Sequence, residues 1–239
     1  MGAIPARFGS TRLPGKPLLP IAGRPMIEHV YGRVAQARGL ARVVVLTDDE
    51  RIARAVEAFG GEVEMTPPEC ASGTHRIAHA ARGWSAAAVV NIQGDEPLID
   101  PEAVSRLAEH LAGHPEDPVV TLAAPATLEE LDNPNAVKVV LGLSGHALYF
   151  SRSRIPYPRN PGEGDPPLKH LGIYGYQRAA LLRLAELPPT PLERAESLEQ
   201  LRALENGMAI RVLKIAAASP GVDTPDDLER VERILASGS

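Results

Sequence analysis

A three-layer α/β/α fold on a mixed, mostly parallel β-sheet is predicted by three features of the 239-residue sequence. Short β-branched segments alternate with helical segments along most of the chain. The β-branched segments are predominantly apolar, which is typical of parallel strands that are buried on both faces. The helical segments between them are long enough to serve as crossover connections. We therefore expect one sheet that is covered by helices.

The alternating segments define the core elements in chain order. The predicted strands are residues 42–47, 88–92, 119–122, 137–141 and 210–215. The predicted helices are residues 26–38, 49–59, 101–111 and 224–235. Segments of these lengths fit one α/β domain, so residues 1–239 are predicted to form a single domain.

Capping residues mark the ends of the predicted helices. Asp48 or Asp49 precedes the second helix, and a pair of glycines at 60–61 follows it. These are the residue types preferred at helix N-caps and C-termini. Asp100 and Thr224 each stand directly before a proline, and this order favours an N-cap followed by the first helical position. The four predicted helices are thus well separated from the strands.

The middle of the chain departs from this alternation. Glycines at 142–145 separate two strand-like segments and predict a hairpin. Residues 155–167 contain several prolines and glycines and predict an irregular loop, and a strand follows at 171–176. We interpret residues 133–204, approximately, as an insertion into the alternating core.

Length and composition exclude several classes of protein. The chain has 25 Lys and Arg against 30 Asp and Glu, and this net charge of −5 disfavours broad nucleic-acid binding. Cys70 is the single cysteine, so an intrachain disulfide is excluded and a reducing compartment is favoured. No apolar segment approaches the roughly 18 residues of a membrane span, and no signal peptide is recognisable. We expect a cytoplasmic globular protein without a membrane or nucleic-acid partner.

The opening segment, residues 4–18, is purely cationic. It contains Arg7, Arg12 and Lys16 together with two glycines, and no carboxylate occurs before Glu28. Glycines let backbone N–H groups approach an anion, and the cations neutralise its charge. The alternative is a solvated surface loop, which the lack of nearby acidic partners disfavours. The segment therefore predicts an anion-binding loop.

This loop differs from two common nucleotide-binding motifs. Gly9 and Gly15 are separated by five residues and Pro17 follows the lysine, so the Walker A spacing is not met. No GxGxxG motif follows a predicted strand either. A P-loop kinase or ATPase and a dinucleotide-dependent oxidoreductase are both disfavoured.

Two carboxylates are placed where a metal ion is expected in such a fold. Asp95 follows Gly94 directly after the strand at 88–92, and ligands bind at the carboxyl ends of parallel strands. Asp223 precedes Thr224, which is itself able to cap the last helix. The alternatives are a capping acid in a turn for the first and a helix cap for the second. Mg²⁺ typically takes one or two carboxylates and substrate phosphates, so a metal–polyphosphate site is predicted.

Eight motifs in this chain resemble the CMP-Kdo synthetases, the 3-deoxy-manno-octulosonate cytidylyltransferases, and occur in the order of that family. They are IPARFGSTRLPGKPL, SGTHRIA, NIQGDEPLI, NPNAVKVV, ALYFSRSRIPYPR, LKHLGIYGY, LEQLRALENG and GVDTPDDLERV. The resemblance covers nearly the whole chain. CMP-sialic acid synthetases and sugar-phosphate nucleotidyltransferases share the fold but resemble only the opening loop and the aspartates.

The resemblance implies a fold and an activity. The fold is that of the nucleotide-diphospho-sugar transferases, with the insertion forming a small dimerisation subdomain. The activity is Mg²⁺-dependent transfer of CMP from CTP to the anomeric hydroxyl of 3-deoxy-D-manno-octulosonate (Kdo). The products would be CMP-Kdo, for lipopolysaccharide biosynthesis in the cytoplasm, and pyrophosphate. The family forms homodimers, and the insertion would supply much of the interface.

The resemblance also assigns roles to individual residues. The triphosphate would face Arg7, Arg12 and Lys16. The cytosine and its phosphates would lie near Ser72, Gly73 and Arg76. Mg²⁺ would be bound by Asp95 and Asp223, which with Arg12 and Lys16 would form the catalytic set. Gln93 would lie near both nucleotide and sugar. The Kdo pocket would be lined by Gln93, Arg152, Arg159, His170, Tyr174, Glu199 and Gln200.

Two rival functions remain open at this level. One is transfer to a related sugar acid, 8-amino-Kdo or a sialic acid, which would retain the opening loop and both aspartates. The other is a non-catalytic nucleotide-binding relative, which would be expected to lose Asp95 or Asp223.

Two further expectations concern stability and histidine chemistry. Family members usually carry several β-branched residues before the IPAR motif, whereas this chain has only Met-Gly-Ala, so the first strand is predicted to be short or to start upstream. His110 and His114 have helical i,i+4 spacing, and we expect them at a solvated helix end.

Overall fold

The computed structural model describes residues 1–9, 13–160 and 165–237. The strands of this part of the chain are β1 (Gly2–Pro5), β2 (Pro20–Ile21), β3 (Arg24–Pro25), β4 (Val43–Thr47), β5 (Val63–Met65), β6 (Ala88–Asn91), β7 (Val119–Pro125), β8 (Lys138–Leu141), β9 (Ala147–Ser151), β10 (Leu168–Gln177) and β11 (Ile210–Lys214). The α-helices are α1 (Met26–Val34), α2 (Glu50–Ala58), α3 (Gly73–Ala81), α4 (Pro101–Gly113), α5 (Leu128–Asp132), α6 (Arg178–Glu186), α7 (Pro191–Glu196), α8 (Gln200–Glu205) and α9 (Pro225–Ser237). A 3₁₀ helix covers Lys16–Leu18. None of the described helices is long and apolar enough to cross a bilayer.

The main sheet is mixed and mostly parallel, as predicted. Its strand order is β11-β7-β10-β6-β1-β4-β5. The pairs β1–β4, β1–β6, β4–β5 and β7–β11 are parallel. Strand β10 runs antiparallel between β6 and β7, and its first residues also pair with β8, which pairs with β9. Most strands therefore end at the same edge of the sheet.

Strand β4 shows why helices cover both faces of the sheet. Successive side chains of a strand point to opposite faces. Val43 and Val45 pack in one apolar cluster with residues of α1, α2 and α4. Val44 and Leu46 pack in another with residues of α3 and α6. A strand with apolar side chains on both faces therefore needs a helical layer on each side, and the predicted three-layer architecture is confirmed.

The first strand is short and central. Strand β1 has four residues, and its Ala3 is registered with Val44 on one side and with Asn91 on the other. Because β1 and β6 are parallel, the segments that follow them emerge at the same edge of the sheet. The cationic opening loop and the segment around Asp95 are thereby brought together.

The predicted helix caps are found at the expected residues. Asp49 accepts a hydrogen bond from the backbone N–H of Arg51 at 2.9 Å, and Asp100 accepts one from Glu102 at 2.9 Å. Thr224 accepts one from the backbone N–H of Asp227 at 3.2 Å. Thr224 therefore accepts a hydrogen bond from the first turn of the last helix, as expected of its N-cap.

Two other sequence predictions need correction. The first helix ends at Val34 instead of residue 38, because the chain turns there and reaches Gly39 in the left-handed region with φ +78°. The second concerns His110, which is not at a solvated end: its Nε2 lies 2.7 Å from Asp117 Oδ2. Asp117 also contacts His146 Nε2 at 3.0 Å, and thus ties the end of α4 to the β8–β9 hairpin. Burial acts to raise the pKa of Asp117, but hydrogen bonds from the two histidines outweigh it and lower the pKa.

The predicted insertion contains part of the central sheet. The hairpin of β8 and β9 is confirmed, and its turn places Gly145 at φ +79°. Strand β10 is longer than predicted and has a register shift between Leu171 and Tyr174. The helices α5 to α8 lie where the sequence analysis predicts no element. Of these, α5, α7 and α8 have only five or six residues, too few for a helical period to be recognised.

Candidate active site

Two adjoining cavities lie at the carboxyl edge of the parallel strands. The smaller cavity, about 350 Å³, is lined by residues that include Arg7, Gly9, Lys16 and Asp95. The larger cavity, about 670 Å³, is lined by residues that include His170, Tyr174, Glu199 and Gln200. Gln93 and Asp223 line both cavities. The smaller cavity thus collects residues predicted to bind triphosphate and metal, and the larger one collects residues predicted to bind the sugar.

Lys16 joins the two predicted metal ligands. Its Nζ lies 2.6 Å from Asp95 Oδ2 and 3.2 Å from Asp223 Oδ1. The backbone N–H of Val222 donates to the carbonyl of Asp95 at 2.9 Å, which fixes the two acidic segments side by side. The two carboxylates therefore converge on one cationic nitrogen, and the sequence prediction that they lie together is supported by the geometry.

Glycine permits this convergence at one position in particular. A Cβ atom on Gly94 would lie 3.2 Å from the carbonyl oxygen of Pro5, the last residue of β1. Such a contact is tighter than side chains usually make, so a larger residue would push the β6 loop away from β1. Gly94 thus lets Asp95 approach the loop that carries Lys16.

The opening loop is anchored at its base. The backbone N–H of Gly15 donates to the carbonyl of Phe8 at 3.0 Å, and Gly15 has φ +69°. The Phe8 ring is covered by the guanidinium of Arg51 at 3.3 Å from the ring centroid, a cation–π contact. Arg7 donates to the carbonyl of Ala71 at 3.0 Å. Arg12 lies outside the described residues.

The N-terminus of α3 is tied to the start of α8. Ser72, the N-cap of α3, donates to Glu199 Oε1 at 2.9 Å, and Thr74 donates to the other oxygen of the same carboxylate. Ser72 and Gly73, predicted near the nucleotide, line neither cavity, whereas Thr74 lines the larger one. Glu199 therefore connects the predicted nucleotide segment to the predicted sugar pocket.

Arg76 does not lie in the site, which contradicts its predicted contact with the nucleotide. Its side chain is fully buried, and its Nη2 lies 2.9 Å from Asp48 Oδ2. A second guanidinium nitrogen donates to Thr66. Arg76 is on the face of α3 that packs into the protein, so the geometry gives it a structural role.

Arg152 likewise holds the chain together instead of facing the larger cavity. Its guanidinium donates to the carbonyls of Glu196 at 2.7 Å, Pro134 at 2.9 Å and Ser197 at 3.3 Å. These bonds join two segments that carry cavity-lining residues. The predicted direct contact of Arg152 with the sugar is not what the structure shows.

Lys138 makes a similar connection. Its fully buried ammonium donates to the carbonyls of Asn133 at 2.9 Å, Ala136 at 2.6 Å and Arg152 at 2.5 Å. Burial lowers the pKa of Lys138. Lys138 and Arg152 thus fix one wall of the larger cavity through backbone oxygens.

His170 lies in the larger cavity as a neutral side chain. Burial lowers its pKa to about 3. The Thr121 hydroxyl has one proton and lies 2.7 Å from the Ile173 carbonyl, so its contact with His170 Nε2 at 3.0 Å requires an N–H on that nitrogen. The tautomer leaves His170 Nδ1 as an acceptor, a form suited to a sugar hydroxyl and unsuited to a carboxylate.

Of the other predicted sugar ligands, three line a cavity and one does not. Gln93 donates from Nε2 to the carbonyl of Gly172 at 3.0 Å, between the two cavities. Tyr174 and Gln200 are each 9% exposed and line the larger cavity. Arg159 is exposed on the irregular loop after β9 and lines neither cavity.

The structure adds residues that sequence reasoning missed. Glu96 and Asn91 both line the larger cavity. Burial and the neighbouring Asp95 raise the pKa of Glu96 to about 7, against the lowering effect of Lys169. A polar residue at the end of an otherwise apolar strand was the available signal for Asn91.

The described residues include no group of three or more His, Cys, Asp or Glu able to hold a metal ion. The pair of carboxylates around Lys16 Nζ nevertheless has the donor chemistry of a Mg²⁺ site, because Mg²⁺ usually binds one or two carboxylates and completes its shell with water and phosphate. The residues present therefore fit a magnesium ion that arrives with a phosphate-bearing substrate.

A parallel-stranded sheet with a cationic glycine loop and two convergent carboxylates at its carboxyl edge is the architecture of a nucleotidyltransferase. Residues 1–210 match the family model described as Cytidylyltransferase. The 3-deoxy-manno-octulosonate cytidylyltransferase of Myxococcus xanthus (strain DK1622) is 51% identical in an alignment 239 residues long. The alignment covers 98% of this chain and 96% of the relative. The chain belongs to the 3-deoxy-manno-octulosonate cytidylyltransferase family.

Two further comparisons bear on ligands and specificity. A solved structure of CMP:2-keto-3-deoxy-manno-octonic acid synthetase complexed with CTP matches with a TM-score of 0.96 and 48% identity, over 100% of this chain and 98% of that one. The 8-amino-3,8-dideoxy-manno-octulosonate cytidylyltransferase of Shewanella woodyi (strain ATCC 51908 / MS32) is 50% identical over 238 residues, 98% of this chain and 97% of the relative. Overall identity thus does not separate the two sugar acids.

The interior placement of Arg76 generates a stability prediction. Arg76→Met should lower the free energy of unfolding by about 2–4 kcal/mol, because it leaves Asp48 and Thr66 without their charged partner. We expect a loss near the lower end of this range, because Asp48 is 21% exposed and water screens its charge. Urea denaturation monitored by circular dichroism measures it.

Arg54→Met is the matched control. Arg54 pairs with Glu50 on the exposed surface of α2, and exposed pairs of this kind contribute about 0.5 kcal/mol or less. Equal stability of the two variants, with a selective loss of CTP affinity in Arg76→Met, would restore the nucleotide-binding role for Arg76.

Proposed function

We propose that this chain transfers CMP from CTP to the anomeric hydroxyl of Kdo and releases pyrophosphate. The observation that carries the proposal is the convergence of Lys16, Asp95 and Asp223 at the junction of the two cavities. A site with two carboxylates and a cation at the end of a parallel sheet suits a metal-bound triphosphate. The bound CTP in the related solved structure supports the same nucleotide here.

The division of the site into two cavities fits two substrates. The smaller cavity contains Arg7 and Lys16, and it suits the triphosphate because cations neutralise its charge. The larger cavity combines neutral polar and aromatic groups such as His170 and Tyr174 with aliphatic side chains and several carboxylates. Its many hydrogen-bonding groups suit a polyhydroxylated sugar. Gln93 lines both cavities, at the place where the two substrates would react.

The reaction needs charge neutralisation and alignment more than it needs a strong base. The anomeric oxygen of the sugar forms a bond to the α-phosphorus of CTP, and the bond from that phosphorus to the bridging oxygen of the β-phosphate breaks. The pyrophosphate leaves with that electron pair, and the hydroxyl proton passes to the medium. Displacement at phosphorus gains mainly from positioning and from neutralising the phosphoryl oxygens. We assign no general base.

Lys16 would supply much of that neutralisation. At an effective dielectric constant of about 20, a cation roughly 4 Å from a phosphate oxygen is worth about 4 kcal/mol before desolvation. The Lys16 side chain is only 12% exposed, so water screens it less than a surface lysine. Arg12, which lies outside the described residues, is proposed to share this role with Arg7.

Asp95 and Asp223 would hold the magnesium ion. When bound, Mg²⁺ polarises the phosphoryl group, helps to ionise the sugar hydroxyl and neutralises the pyrophosphate. The chain contributes by keeping the two carboxylates adjacent through the Val222 to Asp95 backbone bond at 2.9 Å. Lys16 neutralises part of their charge in the described structure and would be free to contact phosphate once a metal takes that place.

The larger cavity would recognise the sugar through several fixed groups. His170 offers Nδ1 as an acceptor, and Glu199 is held by Ser72 and Thr74. Among the described residues that line this cavity, Lys169 is the cation, and it is paired with Glu130. Arg152 would act by holding the cavity wall rather than by binding the sugar carboxylate.

We propose that two copies of the chain form a homodimer through the insertion at 133–204. Leu143, Leu148 and Tyr157 are exposed large apolar side chains within it. Strand β9 pairs, among the described residues, with β8 alone, and so has an edge open for contact. Sedimentation velocity at micromolar concentration should give about twice the 25.5 kDa chain mass, whereas a monomer at all concentrations would contradict the dimer.

We place this activity in the cytoplasm and in lipopolysaccharide assembly, as the family resemblance implies. The product is an activated sugar acid, the form in which Kdo is added to a lipid acceptor. Recovery of the chain in the membrane fraction of lysed cells would contradict that location.

The sugar specificity is tested by a coupled pyrophosphate-release assay. CTP and Mg²⁺ are supplied with Kdo, 8-amino-Kdo or a sialic acid in parallel reactions, and UTP replaces CTP as a nucleotide control. We expect the highest kcat/KM with CTP and Kdo. The Shewanella woodyi relative makes 8-amino-Kdo the second candidate. No turnover with Kdo would end the proposal, and turnover with 8-amino-Kdo alone would establish that alternative.

The metal and anion roles are separated by two variants in one calorimetric experiment. CTP is titrated into each protein at saturating and at limiting Mg²⁺. Asp95→Asn should lose most of the Mg²⁺-dependent gain in affinity, because one anionic oxygen ligand becomes neutral. Lys16→Ala should weaken CTP binding roughly 10- to 100-fold, about 1.4–2.8 kcal/mol, at both Mg²⁺ levels.

Arg183→Ala is the control, since it removes a charge from the exposed side of α6. Its CTP affinity should match that of the wild type. Wild-type turnover by Asp95→Asn at limiting Mg²⁺ would show that the metal assignment is wrong. Unchanged CTP affinity in Lys16→Ala would refute the anion-binding loop.

A further inference from the structure

We infer that Asn91 is a specificity-determining residue that binds a hydroxyl group of the sugar substrate. Its side chain lines the larger cavity and is 3% exposed, and its Oδ1 is buried without a hydrogen-bond partner among the described residues. A buried polar atom of this kind is rare, because it loses its bonds to water without replacement. The inference rests on the proposed function, since it assigns the ligand of the same cavity.

The position of Asn91 explains why it faces the cavity. It is the last residue of β6 and is registered with Ala3 of β1 and Tyr174 of β10. By strand alternation its side chain lies on the same face as Val89, which packs in an apolar cluster. The next position on that face is thus polar at the point where the sheet meets the larger cavity. Packing alone would favour an apolar residue there.

Two donors of this part of the site are committed to other acceptors. The Thr74 hydroxyl, in the same cavity, donates to Glu199. Gln93, two residues further along the chain, donates to the carbonyl of Gly172 at 3.0 Å. A hydroxyl of a molecule that enters the cavity can therefore supply a partner for Asn91 Oδ1.

The chemistry of the carboxamide selects the kind of partner. Oδ1 accepts and Nδ2 donates, so the group pairs with a hydroxyl that can do both. Phosphate and carboxylate oxygens carry no proton at neutral pH and cannot satisfy Oδ1. The triphosphate would also lie with Arg7 and Lys16 in the smaller cavity, which Asn91 does not line. A sugar hydroxyl is the substrate group that fits.

Asn91→Leu provides the sharpest test, because leucine has nearly the same shape and no polar atoms. We expect KM for Kdo to rise roughly tenfold, the effect of one lost hydrogen bond to a substrate hydroxyl. KM for CTP should stay within about twofold of wild type. The melting temperature should be equal or higher, since an unpaired buried oxygen is removed. Steady-state kinetics and differential scanning fluorimetry give these three values.

Val89→Ala is the matched control on the same strand and face. It should lower the melting temperature by several degrees because it opens a cavity in the core, and leave KM for Kdo unchanged. Asn91→Ser, a smaller variant, replaces Asn91→Leu if the latter does not fold. It keeps a hydroxyl that is too short to reach, so the same rise in KM for Kdo is expected.

Deoxy analogues of Kdo identify the hydroxyl involved. Removing the hydroxyl that contacts Asn91 should weaken the wild type and leave Asn91→Leu insensitive, whereas removing any other should affect both proteins equally. An unchanged KM for Kdo in Asn91→Leu, or a rise only in the KM for CTP, would overturn this inference and leave the proposed function standing. Failure of the wild-type protein to use any sugar acid would overturn the proposed function together with it.

Discussion

The site depends on one shared contact, the ammonium of Lys16 between the carboxylates of Asp95 and Asp223. Lys16 is 79 residues from the first and 207 from the second along the chain. Two carboxylates held together repel each other unless a cation lies between them. The parallel pairing of β1 and β6 brings two of the partners to one edge of the sheet, and the backbone bond of Val222 brings the third. The fold thus builds a centre in which one cation partly neutralises two carboxylates and can be exchanged for another cation.

Much of this arrangement could be predicted from the sequence, because it follows from backbone rules. A strand with apolar side chains on both faces, such as β4, requires helices on both sides of the sheet. Parallel strands end at a common edge, so an acid that follows β6 and a cationic loop that follows β1 must meet there. Asp100 caps α4 by the local preference of its residue type. These inferences need no knowledge of side-chain direction.

The roles of Arg76 and Arg152 could not be predicted in the same way. An arginine in a motif near a phosphate-binding loop has the same sequence signature whether it faces a ligand or the interior. Its direction depends on tertiary neighbours that are distant in the chain, Asp48 in one case and the carbonyl of Glu196 in the other. The central position of β10 in the sheet could not be predicted for a related reason. Pairing between strands that are far apart in the chain leaves no local sequence pattern.

The polar groups in and around the larger cavity have two different roles: some hold its wall in place, and others are able to contact a ligand. Lys138 and Arg152 use their charge on backbone carbonyls and hold the wall. Glu199 is restrained by two hydroxyls, whereas Asn91 Oδ1 is buried without such a restraint among the described residues. An unsatisfied buried acceptor costs about 1–3 kcal/mol of stability. Sites that discriminate between similar substrates commonly keep such a group for the ligand.

The antiparallel strand β10 has a consequence for how the molecule is made. It separates β6 from β7 and carries His170, Gly172 and Tyr174 of the larger cavity. A nascent chain that has not yet emerged past residue 177 therefore lacks the strand that joins β7 to the β6-β1-β4-β5 part of the sheet, and it has only part of the pocket. Closure of the sheet has to wait for β10, and completion of the pocket has to wait longer, until Asp227, the last residue that lines it, has been made.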